Sequence, residues 1–221
     1  MSTSSQTGLD DIRREIDQLD QTLLRLIEER LAIAARVAAS KGDGPHFRPG
    51  REAMILNQLA QQSSLAPLMI EGIWRQIMSA NLSRQSVMRL VMSGKDHGLM
   101  PTMNWRFGLE VTPIETQDHA DALAMLAKGE ADLAILPHWD HHPDGWTGPW
   151  QDYTALDSRV WLVATAPFFP TSKLTPAALF SRHRPDPSAL DVTLIWNQGK
   201  YSEKPGYHLD LDHAVGVFQK P

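Results

Sequence analysis

The feature that most constrains this chain is a long, nearly unbroken apolar stripe close to its beginning. Up to a glycine-rich stop at 42–45, an apolar residue recurs every three or four positions, with Arg30 as the one exception. This spacing predicts one helix over 9–41, about 50 Å long at 1.5 Å per residue. Thr7 and Asp10 fit a capping box at its start. The stripe consists of Ile12, Ile16, Leu19, Leu23, Leu26, Arg30, Ile33 and Val37.

A helix of this length cannot bury its stripe within a small helical domain. It needs a partner surface, most simply a second copy of the same chain. Two shorter helices are predicted next, over about 51–63 and 67–89, and Pro67 suits the first turn of the second. We therefore expect an all-helical domain over 9–89, preceded by a flexible tail over 1–8.

Three cationic side chains on the long helix are unusual. Arg30 lies in the stripe between Leu26 and Ile33, where a buried guanidinium requires an anion, or it snorkels to solvent or pairs with an acid on another helix. Lys41 follows on the same face, about 16 Å further along. Arg13 lies about 25 Å back and on a different face, so it cannot join Arg30 within one straight helix. In an antiparallel pair of copies, it could come from the partner.

Polar residues also continue an apolar face on the third predicted helix. Asn81 and Gln85 follow Ile73 and Ile77 at four-residue spacing, which indicates a polar pocket at one end of the bundle or a helix end that frays into solvent. The turn Arg48-Pro49-Gly50-Arg51-Glu52 carries two arginines into the second helix. By itself such a turn is typical of a solvated helix start.

Taken in order, these motifs resemble the all-helical chorismate mutases, including the mutase half of the bifunctional chorismate mutase/prephenate dehydratases. The resemblance covers about residues 8–86. It implies an intertwined homodimer in which the long first helices run antiparallel and each active site borrows an arginine from the other subunit. The motifs are Leu9-x-x-Ile12-Arg13-x-x-Ile16-Asp17-x-Leu19-Asp20, Leu26-x-x-Glu29-Arg30, Val37-x-x-x-Lys41, Arg48-Pro49-Gly50-Arg51-Glu52 and Ile77-Met78-Ser79-Ala80-Asn81-x-x-x-Gln85.

The resemblance also implies a substrate and a reaction. Chorismate is a dianion, and its Claisen rearrangement to prephenate requires no nucleophile, metal or proton transfer, so no cofactor and no metal are expected. By motif position, Arg30 and the partner's Arg13 hold the two carboxylates, while Lys41 and Gln85 point at the ether oxygen. Arginine suits a carboxylate because its fork binds both oxygens.

The remaining motif positions imply substrate binding. Glu52 accepts a hydrogen bond from the ring hydroxyl, and Arg51 assists at the carboxylate end. Asn81 stands where a serine commonly contacts a carboxylate, and Arg48 falls where some members have an aspartate near the hydroxyl. These two departures leave hydroxyl recognition resting on Glu52.

The second half of the chain has a different composition. Residues 87–221 carry eleven basic and sixteen acidic residues, which accounts for the whole net charge of −5. Short apolar runs between turn signals predict an α/β domain over 90–221 with a mainly parallel sheet. The clearest elements are a helix over 118–128 and a buried strand over 133–137.

This half resembles a shortened prephenate dehydratase domain, most clearly over 122–137. Its catalytic signatures are mostly missing. The expected Glu-Asn-Ser after the buried strand is replaced by His138-Trp139-Asp140, and the Thr-Arg-Phe motif is at best Thr193-Leu194-Ile195. Arg182 or Arg184 could compensate for the lost arginine. We nevertheless expect a degenerate domain without dehydratase activity.

Composition excludes other classes of protein. The absence of cysteine rules out disulfides and thiolate metal sites. The His138–Asp144 run could bind a metal, but its turn signals favour a polar surface loop, and no metal site is predicted. No apolar run approaches a membrane span, and the negative charge gives no pull toward nucleic acid. Because residues 1–8 have neither basic residues nor an apolar stretch, we expect no signal peptide. We expect a cytoplasmic protein that binds a small molecule.

Three alternatives to a simple mutase stay open. Isochorismate pyruvate lyases share the helical fold and a similar cationic pocket. A bifunctional chorismate mutase/prephenate dehydratase would require an active second domain. A non-enzymatic sensor of aromatic metabolites would use the helical half only for dimerisation.

Overall fold

A computed structural model of the chain describes residues 3–41, 47–85, 88–109, 111–140, 160–197, 200–211 and 213–221. Side chains of the first helix are described over 8–36, and those of the third helix over 67–80. The chain divides into two compact units, Met1–Gly44 and Pro45–Pro221. Within the described ranges, no helix combines the length and apolar character that crossing a bilayer requires.

The first unit is built on one helix, α1, which spans Thr3–Lys41. The predicted long helix is confirmed, but it begins earlier than expected. Thr7 and Asp10 therefore lie inside the helix, and the predicted capping box is wrong. The Asp10 carboxylate instead accepts a hydrogen bond from Arg13 at 3.1 Å, three residues on, which is a spacing that a helix brings together.

The apolar stripe of α1 is largely exposed in the single chain. Its six large apolar side chains with described burial are between 49% and 63% exposed. A face of this length and apolarity is typical of a surface that another molecule covers. The six residues are Ile12, Ile16, Leu19, Leu23, Leu26 and Ile33.

The second unit begins with two helices and continues as an α/β region. The helices are α2, Pro49–Gln62, and α3, Pro67–Gln85, close to their predicted bounds. A 3₁₀ turn, His97–Leu99, precedes α4, Met100–Phe107, and α5 spans His119–Lys128. The strands are β1 Leu90–Ser93, β2 Ile114–Thr116, β3 Leu133–Pro137, β4 Trp161–Ala166, β5 Ala177–Ser181, β6 Asp191–Asn197, β7 Lys200–Pro205 and β8 Ala214–Gln219.

Local chemistry explains the predicted helix α5. Asp118 caps its first turn by accepting a hydrogen bond from the Asp121 amide at 3.0 Å. Gly129 ends it in the left-handed conformation, with φ of +79°. The buried strand β3 follows directly, as the sequence predicts.

The strands form one sheet in the order β2-β1-β3-β5-β4-β8-β6-β7. The α/β region is confirmed, and its sheet is mixed. The pairs β1–β2, β1–β3 and β4–β8 are parallel, whereas the four other described pairs are antiparallel. The expectation of a mainly parallel sheet came from the β1–α5–β3 part, and the antiparallel pairs involve the unpredicted strands β5, β7 and β8.

A close approach of two strands explains one glycine. Gly216 of β8 pairs with Leu162 of β4, and a Cβ at Gly216 would lie 2.1 Å from the Leu162 carbonyl oxygen. No larger residue fits there without moving the backbone.

The buried apolar residues form three clusters. One cluster joins α5 to the sheet, and a second includes Leu99, Met103 and Phe107 beside α4. The third brings α2 and α3 together with Phe168 and Phe169, which follow β4. Helices α2 and α3 therefore share a core with the α/β region, within the unit Pro45–Pro221. The predicted domain limits, 1–8, 9–89 and 90–221, stay predictions.

Candidate active site

The predicted site residues lie on three helices. Arg13, Arg30 and Lys41 belong to α1, Arg48 to Glu52 lie at the start of α2, and Asn81 and Gln85 lie toward the end of α3. The side chains of Lys41, Asn81 and Gln85 fall outside the described residues, so only their place on a helix is given.

On α1, the two described arginines differ in exposure. The Arg13 side chain is 70% exposed and forms an ion pair with Asp10. Arg30 is partly buried. Seventeen residues of helix separate them, or about 25 Å along the axis. One copy of α1 therefore does not bring its two arginines to one substrate.

The two arginines at the start of α2, Arg48 and Arg51, have different surroundings. Arg48 donates through Nε to the Asp186 carboxylate at 2.5 Å, and both side chains are partly exposed. Arg51 is exposed. The Arg48 guanidinium, which departs from the mutase pattern, is thus bound to an acid of the α/β region.

Glu52 lies in a buried network of four charged side chains. Its Oε2 accepts hydrogen bonds from Arg75 at 2.8 Å and from Arg106 at 2.5 Å. Arg75 also donates to Glu71 at 3.3 Å. The two arginines and two glutamates cancel in formal charge, which a buried ionic cluster requires. We call Glu52, Glu71, Arg75 and Arg106 the buried ionic network.

Glu71 connects this network to the loop that follows β4. Its carboxylate accepts the backbone N–H of Phe168 at 2.8 Å and that of Phe169 at 3.0 Å. The Glu71 side chain is 0% exposed. A carboxylate on α3 therefore fixes a loop of the α/β region in place.

Arg106 is the most deeply placed cation of the network. Burial and, after it, the neighbouring charge of Arg75 lower the pKa of Arg106 to about 10, against the opposing effect of Glu52 and Glu71. Its guanidinium also lies 5.0 Å from the ring centroids of Phe47 and Phe107. At neutral pH, Arg106 therefore stays charged.

The sequence analysis found one member of this network, Glu52. Glu71 and Arg75 carry a usable signal, because opposite charges four residues apart on a helix pair with each other. Arg106 offers no such signal, since it lies 54 residues from Glu52.

Thr193, which stands at the dehydratase Thr-Arg-Phe motif, and Arg184, which could replace the lost arginine, both contact other parts of the α/β region. Thr193 is 0% exposed on β6, and its hydroxyl donates to the Gly206 carbonyl at 2.7 Å and accepts from the His208 amide at 2.9 Å. Arg184 lies over the Trp161 ring at 5.2 Å. The Thr193 hydroxyl is therefore occupied by backbone groups of the turn after β7.

A pocket of about 760 Å³ opens beside the ends of β3, β4 and β8. Apolar side chains provide most of its wall, and among the described lining side chains Lys220 is the only lysine, arginine or acid. His138, in place of the expected glutamate, also lines it. Further lining residues are Thr165, Phe168, Thr171, Ser172 and Phe218.

The histidine-rich run after β3 is only partly described. His138 Nδ1 lies 3.8 Å from an Asp140 carboxylate oxygen, and residues 141–144 fall outside the described residues. Among residues that the structure describes, no group of three or more histidine or acidic side chains is placed to hold a metal.

Comparison with protein families bears directly on the three helices. Residues 12–86 match the family model chorismate mutase type II. The mutase resemblance is confirmed. The matched segment contains Arg13, Arg30, Lys41 and Gln85, and it also contains Glu52, Glu71 and Arg75 of the buried ionic network.

A curated relative carries the same domain name. The chain is 35% identical over 147 residues to a bifunctional chorismate mutase/prephenate dehydratase of Pseudomonas aeruginosa, covering 61% of this chain and 40% of the relative. The chain thus spans about two fifths of that relative's length. Among solved structures, it is similar to one titled "GqqA- a novel type of quorum quenching acylases", with 12% identity, a TM-score of 0.44 and coverage of 60% of this chain and 95% of that one. At that score the likeness says nothing about function.

Proposed function

We propose that the protein is a chorismate mutase that converts chorismate to prephenate in phenylalanine and tyrosine biosynthesis. The observation that carries this proposal is the match of residues 12–86 to chorismate mutase type II. The matched segment contains Arg13, Arg30, Lys41 and Gln85, the four residues to which the resemblance to the mutases assigns the rearrangement. The reaction requires no cofactor and no metal.

The proposed chemistry has two parts. Arg30 and the partner's Arg13 hold the two carboxylates, so that the flexible enolpyruvyl arm stays folded over the ring. Lys41 and Gln85 donate hydrogen bonds to the ether oxygen, where negative charge develops as the bond breaks. One such donor typically stabilises the transition state by about 2.7–4 kcal/mol.

We propose that the active site forms in a homodimer through antiparallel α1 helices. The exposed stripe of α1 supports this, because a second copy would cover it. The separation of Arg13 from Arg30 supports it as well. The Arg13–Asp10 pair is exposed, and such pairs are weak, so it does not prevent Arg13 from binding a carboxylate.

Substrate recognition at the ring is proposed to rest on Glu52. An ionised carboxylate can accept about four hydrogen bonds, so Glu52 keeps acceptor capacity beside Arg75 and Arg106. Arg51, Asn81 and Arg48 are proposed to complete the binding surface, and for Arg48 this requires competition with Asp186.

For the α/β region, we propose ligand binding without dehydratase activity. The occupied hydroxyl of Thr193 supports the loss of the reaction, and the largely apolar pocket supports the retention of a binding role. Prephenate given to the full-length protein should yield phenylpyruvate no faster than the buffer blank. Faster formation that Thr193→Ala abolishes would overturn this part.

The main proposal is tested by incubating the purified full-length protein with chorismate and following prephenate by absorbance and mass spectrometry. Isochorismate is the matched second substrate, because it tests for the lyase. Prephenate from chorismate supports the mutase. Pyruvate and salicylate from isochorismate at a higher kcat/KM would favour the lyase, and no turnover of either would favour the sensor. A cytoplasmic location stays a prediction.

A further inference from the structure

Arg106 is a cation that the α/β region inserts beneath the start of α2. Its side chain is 2% exposed, and it donates to Glu52 Oε2 from α4, across 54 residues of sequence. The Arg106 Cζ atom lies 5.0 Å from the ring centroid of Phe47 and 5.0 Å from that of Phe107. Such a buried, ring-packed guanidinium has little freedom to follow a moving partner.

Charge balance makes Arg106 necessary to the network. Without it, Glu52 and Glu71 would share the single cation Arg75, and one buried negative charge would stay uncompensated. A buried charge without a counterion is costly. Arg106 supplies the fourth charge.

Three side chains of the buried ionic network are almost fully buried, and the fourth, Glu52, is slightly exposed to solvent. The side chains of Glu71, Arg106 and Arg75 are 0%, 2% and 3% exposed, whereas that of Glu52 is 12% exposed. Both arginines bind the same oxygen, Oε2. A partial rotation of the Glu52 carboxylate would break both bonds, so the pair of donors sets the plane in which its two oxygens lie.

We propose that Arg106 is a positioning residue of the mutase, and that it holds the Glu52 carboxylate in the orientation that accepts the ring hydroxyl of the substrate. This inference rests on the proposed function. Arg106 itself touches no substrate, because it lies behind Glu52 and is buried. Through Arg106, the α/β region thereby contributes to the orientation of an active-site carboxylate.

The test compares full-length Arg106→Gln, Arg106→Lys, Glu52→Gln and the double variant Arg106→Gln/Glu52→Gln. For each, kcat and KM for chorismate are measured together with the thermal unfolding midpoint. Arg89→Gln is the matched control, because Arg89 pairs with Asp132 at an exposed site outside the network. The hydroxyl contact exists in both ground and transition states, so its loss raises KM more than it lowers kcat.

We expect Arg106→Gln to raise KM about tenfold, the size of one lost hydrogen bond. Arg106→Lys should restore part of the affinity, because it keeps the charge and loses the fork. The double variant should have the KM of Glu52→Gln alone. Arg89→Gln should leave KM unchanged.

Two results would overturn the inference. One is a wild-type KM in Arg106→Gln with a lowered unfolding midpoint, which shows a purely structural role. The other is a further rise of KM when Arg106→Gln is added to Glu52→Gln. If Arg106→Gln does not fold, the double variant still decides, since it removes both charges together. Absence of prephenate with the wild-type protein would instead refute the proposed function, and this inference with it.

Discussion

The helices of the mutase-type segment obtain their cores in two different ways. On α1, large apolar residues such as Leu19 and Leu23 are more than half exposed in the single chain. On α2 and α3, Leu56 and Met78 are buried with Phe168 of the α/β region. The difference teaches that α2 and α3 take their core from a neighbouring region of the same chain, whereas the face of α1 is left for the second copy that we propose. The predictions below test each half of this division.

The largest expected effect is on the core that α2 and α3 share with the α/β region. Phe168→Ala removes a 5% exposed ring from that core and should lower the free energy of unfolding by about 3–5 kcal/mol, measured by denaturant unfolding. Leu109→Ala, at an 82% exposed side chain, is the control and should change it by less than about 0.5 kcal/mol. An unchanged free energy in Phe168→Ala would show that these helices fold without the α/β region.

The next effect concerns sharing of the active site between copies. Arg13→Ala and Lys41→Ala should each lower kcat/KM about 100–1000-fold as homodimers. Mixing the two variants after reversible dissociation should restore activity, because each mixed dimer regains one site with both wild-type residues. Arg25→Ala, whose arginine pairs with Glu29 on the same helix, is the control and should keep nearly full activity. No recovery on mixing would place both residues in one subunit's site.

A smaller effect is expected for the apolar stripe itself. Leu19→Lys should weaken the dimer, because burial of one leucine contributes about 1.5–3 kcal/mol and lysine forfeits it. Light scattering over a dilution series should show the monomer mass at a higher protein concentration than for the wild type. Arg14→Lys, at an exposed position that pairs with Asp11, should leave the series unchanged. A wild-type protein that is an active monomer at micromolar concentration contradicts the proposed dimer.

The smallest effect is expected for the half-exposed ion pair between Arg89 and Asp132, which serves as a comparison for the buried ionic network. Burial raises the pKa of Asp132, but hydrogen bonds from Arg89 outweigh it and hold that pKa below its ordinary value. The contribution to stability is therefore present above the ordinary carboxyl pKa and is lost as pH falls through the lower folded pKa. Asp132→Asn should flatten the acid limb of stability below about pH 4, by less than about 1 kcal/mol for a half-exposed pair. An identical acid limb in the variant would remove this pair from the pH dependence.

The sequence by itself determined those elements whose signals are local. The stripe of α1 repeats at helical spacing, Pro67 and Gly129 lie at the ends of α3 and α5, and β3 is a short apolar run between turns. The ordered motifs resemble those of the all-helical chorismate mutases, and the match of residues 12–86 to chorismate mutase type II confirms that resemblance. In contrast, the capping box predicted at Thr7 and Asp10 is wrong, because α1 begins at Thr3 and continues through both residues. A local capping signal competes with the propagation of the helix.

Only the tertiary structure decided what lies beside these elements. Strand β5 is buried at the centre of the sheet between β3 and β4. The sequence did not predict β5, and its antiparallel pairing with β3 joins segments that lie about 40 residues apart along the chain. The same holds for Glu52, whose arginine partner on α4 is brought in by the packing of the α/β region. Because both side chains are buried, Glu52 needs Arg106 as a counterion, since a charge removed from water is stable only beside an opposite charge. A sequence shows which side chains are charged, and the fold decides which of them must meet.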